Sequence, residues 1–222
     1  GQAAESDLFP ALGTGKEARG DAAGAGEEYG RALARDPLAQ EPVKHLFTLD
    51  RREGRLPELL AALLSATQKN PESAFHAAYL GLTLEALGRE RDAATEYQRA
   101  LKADPEYVVA LVNWAGLLAR QRNIDAAVPL YRRALAKDPA SVEARVGLGA
   151  ALSIQGKNED AVATLVEGEH LGIATPALYN ALAMAYYRAR HKEKAMGTLK
   201  QSLKLDPNQS SARSLLAEWE KP

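Results

Sequence analysis

Proline returns in this chain at a fixed step. Asp36-Pro37, Asn70-Pro71, Asp104-Pro105, Asp138-Pro139 and Asp206-Pro207 share one motif, spaced by 34, 34, 34 and then 68 residues. The one skipped step falls at Ile173. The residue before a proline is pushed out of the α region, so each pair ends a helix. A helix stop every 34 residues marks an array of helical hairpins, each packed mainly on its neighbours. Such arrays hold other chains, which points to binding rather than catalysis.

Composition narrows the partner. Lys and Arg total 28 against 29 Asp and Glu. The basic excess that phosphate binding needs is missing, so no nucleic-acid partner is expected. Cysteine is absent, which excludes a disulfide framework and a thiolate metal site. Cytoplasm and periplasm both tolerate such a chain, so the compartment stays open. No apolar run approaches the ~20 residues of a membrane span, and no membrane insertion is expected. No leader pattern is visible at Gly1-Gln2-Ala3-Ala4. The Ala- and Arg-rich composition is bacterial in character.

Counting back from each proline gives units at 40–73, 74–107, 108–141, 142–175 and 176–209. A degenerate repeat precedes them within 1–39, and 210–222 follows. In the third unit, positions 4, 7, 8, 11, 20, 24, 27 and 32 read Ala77, Leu80, Gly81, Leu84, Ala93, Tyr97, Ala100 and Pro105. In the fourth they read Leu111, Trp114, Ala115, Leu118, Ala127, Tyr131, Ala134 and Pro139, and in the sixth Tyr179, Leu182, Ala183, Tyr186, Ala195, Leu199, Ser202 and Pro207. This pattern resembles the tetratricopeptide repeat (TPR). The resemblance implies an all-α, right-handed superhelical solenoid of helix-turn-helix hairpins. The apolar positions step by three or four, as on one helix face. Small residues at positions 8, 20 and 27 let helices approach. Gly54, Gly88 and Gly156 at position 15 suit a turn of positive φ.

Three units depart from the pattern. In the first, Pro10, Gly13, Gly15 and Gly20 crowd the first helix, which predicts a short or frayed helix before a sound one near 21–35. The second has Phe47 at position 8 and Asp50 at position 11, which predicts looser packing. The fifth has Gly168 at position 27 and Ile173 for proline, so its second helix is predicted to end at Gly172, with Thr175-Pro176 opening the next. Residues 210–220, with Leu215, Leu216 and Trp219, read as a C-terminal capping helix.

Catalytic patterns are missing. His45, His76, His170 and His191 lie in four different units, none in a metal-ligand spacing, and read as surface or groove histidines. Gly147-Leu148-Gly149 lies inside a helix and lacks the third glycine of a dinucleotide fingerprint. Gly15-Lys16 precedes Glu17 rather than Ser or Thr, so no phosphate loop forms. Asn208-Gln209-Ser210 spells a glycosylation sequon without other support for that role. No metal and no cofactor is expected.

The family resemblance implies that the first helix of each unit lines a concave groove. Carried over by position, the candidate peptide-binding residues are Lys44, Arg52, Phe75, Tyr79, Asn113, Arg120, Asn180, Tyr187 and Arg188. The clamp by which chaperone adaptors hold a C-terminal carboxylate is absent: Asn113 fills its middle slot, but Ala78, Leu82, Glu143 and Val146 occupy the flanking ones. The asparagine ladder of sugar-transferase superhelices has only Asn113. The expected function is a non-enzymatic scaffold or adaptor that holds a protein or peptide segment in its groove. Two alternatives stay open. One is an accessory repeat domain that positions substrate for a larger hydrolase or glycosyltransferase. The other is self-association into a homo-oligomer.

Overall fold

The computed structural model describes residues 8–53 and 56–221, and the expected turn at Gly54 lies outside them. The described residues form thirteen helices and no strand. They are α1 (Leu8–Ala18), α2 (Ala22–Arg35), α3 (Gln40–Glu53), α4 (Leu56–Lys69), α5 (Ala74–Ala86), α6 (Glu90–Ala103), α7 (Val108–Arg120), α8 (Ile124–Lys137), α9 (Val142–Ile154), α10 (Asn158–His170), α11 (Pro176–Arg188), α12 (Lys192–Leu205) and α13 (Ser210–Trp219). The chain divides into two compact units, one running to Ala110 and one starting at Leu111.

Two kinds of helix end recur, each with its own chemistry. First helices end at a left-handed residue: Gly20, Gly88, Arg122, Gly156 and Arg190, with φ between 64° and 78°. Each closes the same pair of reversed hydrogen bonds. At Gly88, for example, its N–H reaches the Glu85 carbonyl at 2.9 Å and the Arg89 N–H reaches Leu84 at 2.8 Å. Gly172 ends α10 in this way too, as its place before Ile173 predicted. Second helices end at the aspartate before proline. Asp36, Asp104, Asp138 and Asp206 each take the N–H two residues on at 2.9–3.0 Å. This side-chain turn explains why aspartate precedes the proline.

Within a hairpin, a small residue at position 8 receives the large one at position 24. A Cβ on Gly13 would lie 2.5 Å from the Tyr29 ring, one on Gly81 2.6 Å from Tyr97, and one on Gly149 2.7 Å from Leu165. In the first unit α1 runs for 11 residues, shorter than the 14 of α2, and Gly13 within it is a packing site that seats the fully buried Tyr29. The Glu17 carboxylate then joins three helices. It accepts the Tyr29 hydroxyl at 2.6 Å and lies 2.8 Å from His45 Nδ1, while the His45 ring stacks on Tyr29.

The second unit inverts these sizes. Phe47 stands at position 8 against Leu63, and Leu59 takes the position that Ala25 and Ala93 fill in neighbouring units. Helices α3 and α4 are accordingly the less closely packed of the hairpins in the first unit of the chain. A cavity of about 410 Å³ opens beside them, lined by Gly26, Gly30, Leu33, Leu46, Asp50 and Leu59.

The fifth unit carries a buried charge that its repeat position does not signal. Position 4 is Arg145, and its side chain is 2% exposed. Its guanidinium donates to the carbonyls of Pro139 at 2.7 Å and Thr164 at 2.9 Å, and to Glu167 at 3.0 Å. Gly168, across the hairpin, makes room for it: a Cβ there would lie 2.6 Å from Arg145 Cδ. At the end of the chain, α13 buries Ala212 and Trp219 against Ala183, Ala195 and Leu199, with Leu215 and Leu216 packed alongside.

Candidate functional site

In the compact unit that runs to Ala110, the first-helix face centres on aromatic rings. Tyr79 on α5 is partly exposed and meets Phe75 in a stack at 4.5 Å and Phe47 edge-on at 6.0 Å. Burial raises the Tyr79 pKa, so its hydroxyl stays protonated and able to donate. Lys44 on α3 is exposed, pairs with Glu41 at 2.6 Å, and places its ammonium 6.0 Å from the Phe75 ring centre. Phe75 itself is 6% exposed and supports Tyr79 from beneath rather than offering surface. Phe47 belongs to this cluster, although its repeat position assigned it to internal packing. Its signal was its size, too large for position 8. Arg52 is exposed on α3 and meets none of the other candidates; the neighbouring Arg51 lies over Phe47 instead.

The compact unit that starts at Leu111 uses its candidates differently. Asn113 is partly buried on α7, and Arg120 is exposed in the last turn of that helix. Asn180 donates to Gln209 Oε1 at 2.7 Å, and Tyr187 stacks on Trp219 at 4.4 Å with rings 4° apart. Both therefore hold α13 in place, although Tyr187 keeps 42% of its surface exposed. Arg188 is exposed, and its carbonyl accepts from Asn158 at 3.3 Å.

The histidines lie apart, His45 beside Glu17 and His191 beside Glu159. His76, read from sequence as a surface or groove residue, is 2% exposed and held by Ser73 Oγ at 2.8 Å from Nδ1. Burial holds its pKa below the usual histidine value, which favours the neutral ring. Among the described residues no cluster of His, Asp and Glu has the form of a metal site. No helix among them is long and apolar enough to cross a membrane.

No curated protein sequence matches this chain. Several solved structures share its fold. The Cut9–Hcn1 hetero-tetramer of the APC/C superposes with a TM-score of 0.79 at 17% identity, over 97% of this chain and 43% of that one. This chain thus spans less than half the length of that relative. PilF of Pseudomonas aeruginosa gives 0.73 at 16% identity over 96% and 97%. YrrB, described as a TPR protein with an unusual peptide-binding site, gives 0.61 at 18% identity over 84% and 96%. Sequence models described as tetratricopeptide repeat match residues 46–108, 112–168 and 176–209. The chain belongs to the tetratricopeptide repeat family, a fold of protein-interaction scaffolds.

Proposed function

We propose that the chain is a non-catalytic adaptor that holds a peptide segment against its first helices, with the aromatic cluster on α3 and α5 as one anchor. The observation that carries this reading is Tyr79. It is half-open, backed by Phe75 and Phe47, and flanked by the Lys44 ammonium. A rigid ring with a protonated hydroxyl and a cation beside it suits an apolar side chain followed by a backbone carbonyl or an acidic group. Tyrosine and arginine also dominate interface energetics, because each brings large area or several donors with little freedom to lose.

The test is peptide selection from a random display library, followed by alanine variants of Tyr79 and Lys44. Weaker binding at an unchanged melting temperature is expected, with Arg99→Ala and Lys102→Ala on α6 neutral. Binding that depends on the α6 positions and ignores Tyr79 would reject this reading.

A further inference from the structure

In the compact unit that starts at Leu111, the turns at residues 121–123, 155–157 and 189–191 are fastened into one ridge. Gln155 Nε2 donates to Asp125 Oδ1 at 2.6 Å, Asn158 Nδ2 donates to the Arg188 carbonyl at 3.3 Å, and His191 Nε2 lies 3.2 Å from Glu159 Oε1. These bonds engage Asp125 and Glu159. Arg122, Lys157, Arg188 and Arg190 stand exposed along the ridge, and none has a carboxylate partner among the described residues.

Two of these cations sit where the backbone does not favour them. Arg122 and Arg190 hold φ of 65° and 64°, at the step that Gly20, Gly88 and Gly156 fill in other repeats. Glycine reaches that conformation freely, whereas a Cβ crowds the following carbonyl. The chain thus keeps a guanidinium at two turns that glycine closes with less strain. Charge follows the same division. Residues 111–222 hold 15 Lys and Arg against 11 Asp and Glu, and residues 1–110 hold 13 against 18.

We propose that this ridge is a docking edge for an extended acidic peptide segment. Packed helices lie roughly 8–10 Å apart, which sets the step between successive turns. Three residues of extended chain cover about 10 Å. A segment with a carboxylate at every third position therefore meets Arg122, Lys157 and the Arg188–Arg190 pair in turn. The planar fork of arginine takes a carboxylate through two parallel hydrogen bonds. Ile154, 55% exposed beside Gln155, offers an apolar contact between the charges. A nucleic acid fits less well. Asp160 and Glu193, in the first turns of α10 and α12, flank the ridge and repel a chain charged at every residue. The ridge and the Tyr79 cluster belong to different compact units and share no residue, so either proposal can fail alone.

The test is fluorescence anisotropy at low salt. The probe is a labelled Gly-Ser peptide of about 12 residues with Asp at every third position, long enough for three turns at about 3.3 Å per residue. The double variant Arg122→Gly, Arg190→Gly is expected to weaken binding about tenfold or more, while its Tm rises. The charge-matched control Arg132→Gln, Arg213→Gln and the variant Tyr79→Ala are expected to bind as the parent does. Four results would overturn the proposal: no binding to the parent, unchanged binding to the double variant, equal weakening in the control, or equally tight binding of labelled oligo-dT. A lower Tm in the double variant would refute the strain argument, and Arg122→Gln with Arg190→Gln then carries the binding comparison.

Discussion

Replacing Gly168 by alanine is expected to destabilise the fifth hairpin, although Gly→Ala inside a helix ordinarily gains about 1 kcal/mol. The added Cβ would stand 2.6 Å from Arg145 Cδ and 3.0–3.1 Å from the Leu178 methyl groups. Neither neighbour can withdraw. Leu178 is fully buried, and the guanidinium is pinned to the carbonyls of Pro139 and Thr164. Overpacking of this kind costs about 1–3 kcal/mol, which leaves a net loss of about 1. Arg145→Leu removes the cation together with its desolvation, so its own cost is modest, about 0–2 kcal/mol. In that background Gly168→Ala no longer meets Cδ, and the pair becomes the Leu and Ala of Leu111 and Ala134 one repeat earlier. The two substitutions should therefore couple favourably by about 1–2 kcal/mol. The assay is urea unfolding of the parent, both single variants and the double, with hydrogen exchange on α9 and α10 to localise the effect. The local readout matters because repeat arrays need not unfold in one step. In a chain of this size 1 kcal/mol moves Tm by roughly 2–4 °C. Additive effects, or a stabilising Gly168→Ala in the parent, would refute the claim that the two residues share one volume.

Other expectations follow from the same geometry. Ala93→Leu and Ala127→Leu, both at fully buried sites where helices nearly touch, should each lose about 1–3 kcal/mol; an unchanged Tm in both would show the helix register to be wrong. Gly30→Ala should gain up to about 1 kcal/mol, because its Cβ meets nothing within 4 Å. Gly13→Ala should lose stability against the Tyr29 ring, and calorimetry showing the same sign for both would contradict the packing described. The His76 pKa is depressed in the folded chain, so its contribution is present above the unfolded value of 6.5 and fades as pH falls below it. Urea midpoints between pH 8 and pH 5 should decline less in His76→Gln than in the parent; equal slopes would contradict this assignment.

The small-large alternation made the array readable because it returns in register from repeat to repeat, and the proline step did so because it acts within about one helical turn of the residue concerned. The turn at Gly172 was legible for that reason. What escaped were pairings across elements. Gly13 reads locally as a helix breaker, and only the Tyr29 ring arriving from α2 shows it to be a packing site. Arg145 reads as an ordinary charge at a position usually apolar, and its burial depends on Gly168 some twenty residues away. Among the candidate residues, Tyr79 and Lys44 each lie against Phe75. Asn180 and Tyr187 turn to α13, which occupies the place of a next repeat. Phe47 joined the cluster because its bulk exceeds the space its position offers.

The most direct test of the adaptor reading is an amide chemical-shift map with a peptide selected from a random library. The largest changes are expected on α3 and α5, around Lys44, Phe47 and Tyr79, with the second helices α4 and α6 nearly silent. Changes confined to α4 and α6, with α3 and α5 unmoved, would contradict it.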